Sequence, residues 1–346
     1  MTNPVPMRQV FGETLRDLAD EFPALVVLDA DCSSSTQTRL FAERHPDRFF
    51  NCGIAEGHMV SMAAGMAAAG LTPVVSTFAF LLAGRAGDAV LSQIGYMKLN
   101  VKLAGGYCGL SDFADGASHQ SIHDLAVMRA IPGMVVVSPA DIVETRLAVR
   151  VALEHEGPVY LRLSRAEVGR IFDDAYRLTI GRGVTLRGGR DCTLVSTGAR
   201  TAAALEAADR LAARGIAARV LHLPTVKPLD ADPLRAAAAE AAPIFTIEEH
   251  SIIGGLGEAV AGLLSETMPV LVYRLGLHDI YGESGPYETL LDQHGLTSAR
   301  IAERVERTLM ENRNAAVGSH EGSRSPSPAL AGPVTGATRP AIRSAS

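Results

Sequence analysis

The sequence predicts an α/β protein made of two consecutive three-layer domains. Short apolar runs alternate with helical patterns, as parallel sheets covered on both faces require. The alternation breaks at a mixed segment, 164–183, and then restarts. The chain has 346 residues, enough for two such domains of ordinary size. The expected boundaries are 1–183 for the first domain with its connecting segment, 184–312 for the second, and 313–346 for a disordered tail.

In the first domain, strands are expected at 24–31 (ALVVLDAD), 73–78, 101–106, 134–139 and 158–163. Helical patterns occupy 6–21, 55–69, 80–98 and 141–155. In the second domain, strands are expected at 192–198, 217–223, 243–249 and 270–276. Helices fall at 201–215, at 254–267 behind a pair of glycines, and at 297–312 behind the N-cap candidate Thr297. The remainder, rich in Ser, Pro, Gly, Ala and Arg and lacking aromatics, has too little apolar content to order itself.

Composition narrows the function classes. With 47% hydrophobic and 20% charged residues and a net charge of −6, the chain reads as globular, and no basic block points to nucleic acid. Its apolar runs are too interrupted for a membrane span, and its N-terminus lacks an apolar signal core. Cys32, Cys52, Cys108 and Cys192 form no CxxC or zinc pattern, so reduced thiols in a cytoplasm are expected.

Polar and aromatic residues collect where strands end, the ligand-binding edge of open α/β sheets. Glu56 opens a helix of small and apolar residues that is suited to close packing. It either complements the helix dipole at the surface or is buried with a specific partner. Phe78 and Phe80 follow the 73–78 strand, as core residues or as flat surfaces for a ring. Arg85 and Asp88 stand about one turn apart, where a simple ion pair is expected. The loop YCGLSDFADGASHQSIHD carries Asp115, His119, His123 and Asp124; the spacing matches no standard metal site, and a polar substrate suits it better. The hydroxyls of DADCSSST cap the next helix or face a ligand. Arg165 ends YLRLSR, either at the surface or holding a phosphate or sulfonate. Together these residues describe one cleft.

Several stretches in order, GIAEGHM, PVVSTFAFLLAGRAGD, DGASHQSIHDLAVMRAIPGMVVVSPAD, GPVYLRLSR, EEHSIIGGLGEAV and LHDIYGESGPYETLLDQHGLT, resemble the C-terminal half of transketolase as found in split, two-subunit enzymes. The resemblance spans about residues 8–312 and implies a pyrimidine-binding domain followed by a transketolase C-terminal domain. It implies that Glu56 is catalytic, hydrogen-bonding N1′ of the aminopyrimidine of thiamine diphosphate and favouring the tautomer whose N4′ takes the C2 proton. It further places Phe78 beside that ring and Asp31 near the cofactor. Phe80, Leu81 and Arg85 also fall in the cofactor-binding region. His119 is implied to contact the ketose donor as a second catalytic residue, with Asp115 near the donor hydroxyls. Ser35 and Arg165 are implied to hold a distal phosphate, in a substrate site that also includes Tyr107.

The sequence departs from the family pattern at four points. Leu81 stands where a second aromatic is expected, with Phe80 as its substitute; Tyr107 replaces a histidine, Ala114 a glutamate, and His123 a residue that is often glutamate. The family's GDG motif and downstream asparagine, which hold Mg²⁺ on the cofactor diphosphate, are not in this sequence. The resemblance therefore implies a partner subunit carrying that site, in an α2β2 heterotetramer of carbohydrate metabolism, with no metal ligands on this chain. The implied reaction is transfer of a two-carbon ketol unit from a ketose phosphate, or related anionic sugar, to an aldehyde. The alternatives are a 2-oxoacid dehydrogenase β subunit, a deoxyxylulose-phosphate-synthase-like enzyme, or a degenerate homologue that only binds a partner.

Overall fold

Strands β2 (Leu25–Asp29), β4 (Thr72–Phe78), β5 (Lys102–Gly106), β6 (Val135–Val137) and β7 (Val159–Arg162) form where the apolar runs predict them. The computed structural model describes residues 5–321. Two short ribbons, β1 (Val5–Pro6) and β8 (Glu167–Val168), pair with each other, and β3 (Phe49–Asn51) adds an unpredicted edge beside β2. In the second half lie β9 (Val184–Arg187), β10 (Cys192–Ser196), β11 (Ala218–His222), β12 (Thr225–Lys227), β13 (Ile244–Ser251) and β14 (Val272–Leu277).

The first sheet runs β12-β6-β7-β5-β4-β2-β3, parallel except for β12. The second runs β14-β13-β10-β11-β9, parallel except for β9. The chain therefore consists of two consecutive, mostly parallel α/β domains. Side chains alternate across the first sheet: Leu25 and Val27 join one core with Val74 and Leu161, while Val26 and Leu28 join another with Val75 and Leu103. The second of these cores continues through Val195, Leu221, Val226 and Ile244 of the following domain. Thus β12, from the second half, closes the first sheet, and the two halves share apolar packing.

Three expectations need adjusting. The predicted 80–98 helix is broken into Ala79–Ala83, Gly87–Ala89 and a wider turn at Val90–Gly95. Gly84 ends the first piece, where a Cβ would stand 2.9 Å from the Phe80 carbonyl oxygen. The helix Glu56–Ala68 buries one face (Met59, Val60, Ala63, Ala64) and leaves His58, Gly65 and Ala68 exposed. The closing helix runs Ser298–Glu321, so the first part of the expected tail is helical; 322–346 lie outside the described residues. Packing divides the described residues into a unit ending at Glu306 and a second beginning at Arg307.

Candidate active site

Because β2, β3, β4, β5 and β7 are parallel, their C-terminal ends share one edge of the sheet. A cavity of about 590 Å³ opens there. Asp31, Ser35, Glu56, Phe78, Phe80, Leu81, Arg85 and His119 all line it, as do Cys32 and Thr77. Residues separated by up to 88 positions are gathered because each follows its own strand.

Glu56 is the first residue of its helix and is only 1% exposed. Its Oε2 accepts a 3.1 Å bond from Arg85 Nη1. The expected partner of Arg85, Asp88, is thus displaced by a buried carboxylate, and Glu56 takes the buried, paired alternative. Arg85 is itself 56% exposed, so the pair leaves Glu56 at the cavity wall with one solvated partner.

The floor after β2 is organised by Asp29, a residue not singled out by the sequence. Its carboxylate accepts bonds from the Cys32 amide (2.7 Å) and from the Thr36 and Thr38 hydroxyls (2.8 Å each). Burial raises its pKa, against those three donors. Asp31 turns outward in the left-handed region (φ 61°), and Asn51 Nδ2 donates to its Oδ1 at 3.0 Å. Burial pushes the Cys32 thiol up to about 12, with Asp29 adding to the effect, which keeps it protonated.

Phe78 and Phe80 put aromatic rings in the cavity wall. The Phe78 ring lies 4.5 Å from that of Tyr107 and 6.1 Å from that of His119, and Phe80 packs 5.0 Å from His119. Ser118 Oγ and His119 Nδ1 are 2.9 Å apart.

Tyr107, Asp115 and Arg165 stand beside this cavity rather than in its wall. Tyr107 is buried at φ 59°, with the guanidinium carbons of Arg8 and Arg165 at 5.5 and 5.0 Å from its ring centroid. Arg8 donates to the Tyr107 hydroxyl (2.5 Å) and to the Ser35 carbonyl (3.1 Å). Arg165 donates to Asp112 at 2.9 Å and approaches Asp115 at 3.9 Å. Arg8 and Asp112 were missed: Arg8 lies in the first helix, 27 positions before Ser35, and nothing local marks it. Burial, then Asp115, pushes the Asp112 carboxyl up to about 6, with Arg165 opposing.

The acidic and histidine residues of the loop disperse. His123 lines a separate cavity with Ser251, Asp279 and Tyr281. Asp124 is fully buried and accepts from Tyr160 (2.8 Å) and Arg162 (2.8 and 3.2 Å). Burial alone would push its carboxyl up; Arg162 and then His250 hold it below the usual range. It anchors the loop to β7. No cluster of three metal-ligating side chains exists among the described residues.

The transketolase pyrimidine-binding domain model matches residues 3–170, and the transketolase C-terminal domain model matches 181–301. A putative transketolase C-terminal section of Methanocaldococcus jannaschii is 41% identical, over 86% of this chain and 95% of its own. The chain belongs to the transketolase family. Members of this family are thiamine-diphosphate-dependent transferases. Among other relatives, the 6-deoxy-6-sulfo-D-fructose transketolase subunit SqwH of Clostridium sp. (strain MSTE9) is 37% identical over 89% of this chain and 95% of its own. A solved split gene transketolase, an inactive beta4 tetramer, superposes with a TM-score of 0.82 at 44% identity, covering 89% of this chain and 99% of that one. The chain spans about half of the 1-deoxy-D-xylulose-5-phosphate synthases that it matches, such as that of Symbiobacterium thermophilum at 38% identity. No helix among the described residues is long and apolar enough to cross a membrane.

The cavity suits the family's cofactor in its donor set. Glu56 offers a buried carboxylate that could hydrogen-bond a ring nitrogen, Phe78 offers a flat apolar surface, and Leu81 and Thr77 also line the cavity.

Proposed function

We propose that this transketolase-family chain is the β-type subunit of a two-component enzyme. It moves a two-carbon ketol unit from a ketose phosphate, or a related anionic sugar, to an aldehyde acceptor. The observation that carries this reading is Glu56: a carboxylate 1% exposed, at a helix start, in the wall of a large cavity. A low-dielectric setting strengthens any hydrogen bond this carboxylate makes.

When bound, thiamine diphosphate supplies the carbanion-stabilising chemistry. The residues of this chain do the rest. Glu56 would hydrogen-bond N1′ of the aminopyrimidine, and Phe78 would pack beside that ring. Phe80, Leu81, Arg85 and Asp31 complete the cofactor side, with Arg85 fixing the Glu56 carboxylate. His119, its Nδ1 2.9 Å from Ser118 Oγ, would contact the donor near Asp115. At the distal end Ser35, Tyr107, Arg165 and Arg8 meet the anionic group.

The partner subunit carries the Mg²⁺ and diphosphate site, and an α2β2 heterotetramer in the cytoplasm is the working assembly. Relatives named as a C-terminal section or a subunit, matched over nearly their whole length, support the split arrangement. All four cysteines are unpaired, which supports a reducing compartment. The pyrimidine-binding domain with its connection is assigned to 1–183 and the C-terminal domain to 184–312.

The test is reconstitution. This chain, mixed with an N-terminal-type subunit, Mg²⁺ and thiamine diphosphate, should convert a ketose phosphate and an aldehyde into a new ketose lengthened by two carbons. Release of CO₂ from a 2-oxoacid instead would overturn the transketolase assignment in favour of a dehydrogenase subunit.

A further inference from the structure

The segment from Tyr107 to Asp124 carries Asp115 and His119, yet it makes little structure of its own. It contains one short 3₁₀ turn, Gly116–Ser118, and isolated bridges from Cys108 and Gly109 to Ser121. A long connection of this kind needs external contacts to offset its ordering entropy. The first domain supplies some of them, through Arg8, Tyr160, Arg162 and Arg165, and the C-terminal domain supplies a second set.

Glu249 Oε1 accepts from the Leu110 amide at 2.8 Å. The Gly285 amide donates to the Phe113 carbonyl at 3.1 Å, and Gln120 Nε2 donates to the Glu283 carbonyl at 2.9 Å. The Ser251 amide donates to the Ile122 carbonyl at 2.8 Å. These anchors bracket Asp115 and His119 on both sides. Glycines permit the contact: a Cβ on Gly116 would collide with Ser284 Oγ, and one on Gly282 with the Gln120 side-chain oxygen. Glu249 is in turn held at Oε2 by the Tyr287 hydroxyl (2.6 Å) and Arg200 Nε (3.2 Å).

We infer that the C-terminal domain is part of the donor-binding machinery: Glu249 and the 282–285 turn are positioning elements that hold the 107–124 loop so that His119 lines the cavity with Asp115 beside it. The inference rests on the proposed transketolase reading. It separates two parts of the site. The cofactor side, Glu56, Phe78 and Arg85, hangs on β4 and its neighbouring helices. The donor side hangs on a loop held from both domains. Loss of an anchor should therefore weaken donor binding and leave the cofactor side intact.

Two variants test this in the reconstituted complex. Gly282→Ala pushes Gln120 away from Glu283, and Glu249→Ala leaves the Leu110 amide without its acceptor. Each should raise KM for the ketose donor about tenfold, the scale expected for one lost buried hydrogen bond. KM for the aldehyde and the rate of C2 hydrogen exchange on bound thiamine diphosphate should stay at wild-type values. Peptide hydrogen exchange should show the 107–124 segment losing protection in both variants. Glu249→Gln, which keeps an acceptor for Leu110, should restore most of the donor KM. Unchanged donor KM in both variants, or an undisturbed 107–124 segment, would overturn the inference. So would a parallel loss of C2 exchange, which would signal general damage. A wild-type complex that transfers no ketol unit would sink the parent reading and this one together; a working wild type with unaffected variants sinks this one alone.

Discussion

Glu56 is a carboxylate almost without solvent contact, joined to one arginine that is itself more than half exposed. A favourable helix dipole contributes only about 0.3–1 kcal/mol, less than burial of a charge costs. That imbalance argues for a function that needs the charge. Glu56→Gln keeps the shape and loses the negative acceptor. C2 hydrogen exchange of thiamine diphosphate in the reconstituted complex should slow by about 10²–10⁴-fold or more, while the melting temperature stays near wild type. Near wild-type exchange would remove Glu56 from catalysis. Asp112 gives a second prediction. Its carboxyl, pushed up to about 6, neutralises Arg165 only above that pH. A sulfonated donor keeps its charge across this range, so its KM should fall as the pH is lowered through 6, and Asp112→Asn should flatten the profile. The stability sign is fixed by the same shift. Folded Asp112 binds its proton more tightly than an unfolded aspartate with pKa about 3.9. Its contribution therefore favours the fold at low pH and is lost as pH rises through 6. Both arms are read by titration, one in kinetics and one in denaturant midpoints.

Among the elements, β12 is the informative one. Val226 lies at its centre, 2% exposed, in the apolar core that runs through both halves of the chain. Val226→Ala removes two buried carbons and should cost about 2–3 kcal/mol, read as a shifted urea midpoint. A loss below about 0.5 kcal/mol would mean that the strand is not needed. β12 also marks the limit of reading elements from sequence. The buried strands β2, β4, β5, β7, β10, β11 and β13 were legible because each carries a mostly apolar run set between helical patterns. The three-residue β6 was legible too, because it is Val135–Val137 throughout, whereas β3 (Phe-Phe-Asn) and β12 (Thr-Val-Lys) carry no apolar run of that length to detect. The same contrast holds in the site. Glu56, Phe78 and His119 were legible because each follows a strand end and matches a family motif. Arg8 and Glu249 were not, because each acts on a segment far away in sequence, through a contact that only the folded chain creates. Arg85 was visible but assigned to a neighbour, since local spacing favours Asp88 while the fold supplies Glu56.

For the whole molecule, shared packing predicts shared unfolding. Apolar side chains of both halves form one core, so the two domains should melt in a single transition, with circular dichroism and fluorescence midpoints that coincide. Two separated transitions would contradict the shared core. The assembly has a matching prediction in ligand binding. The chain alone should bind thiamine diphosphate and Mg²⁺ only weakly in calorimetric titration, with tight binding appearing when the N-terminal-type subunit is added. Submicromolar binding by the chain alone would place the diphosphate site here.

The borrowed strand restricts where this gene can be cut. A break within the 164–183 connection would not separate whole folding units. It would strip β12 from β6 and leave Val135, Val136 and Val137, all buried in the intact chain, as a bare apolar sheet margin. Such a margin invites pairing with any passing strand. Independently produced halves should therefore aggregate, whereas the two halves translated together could rejoin by restoring that one pairing.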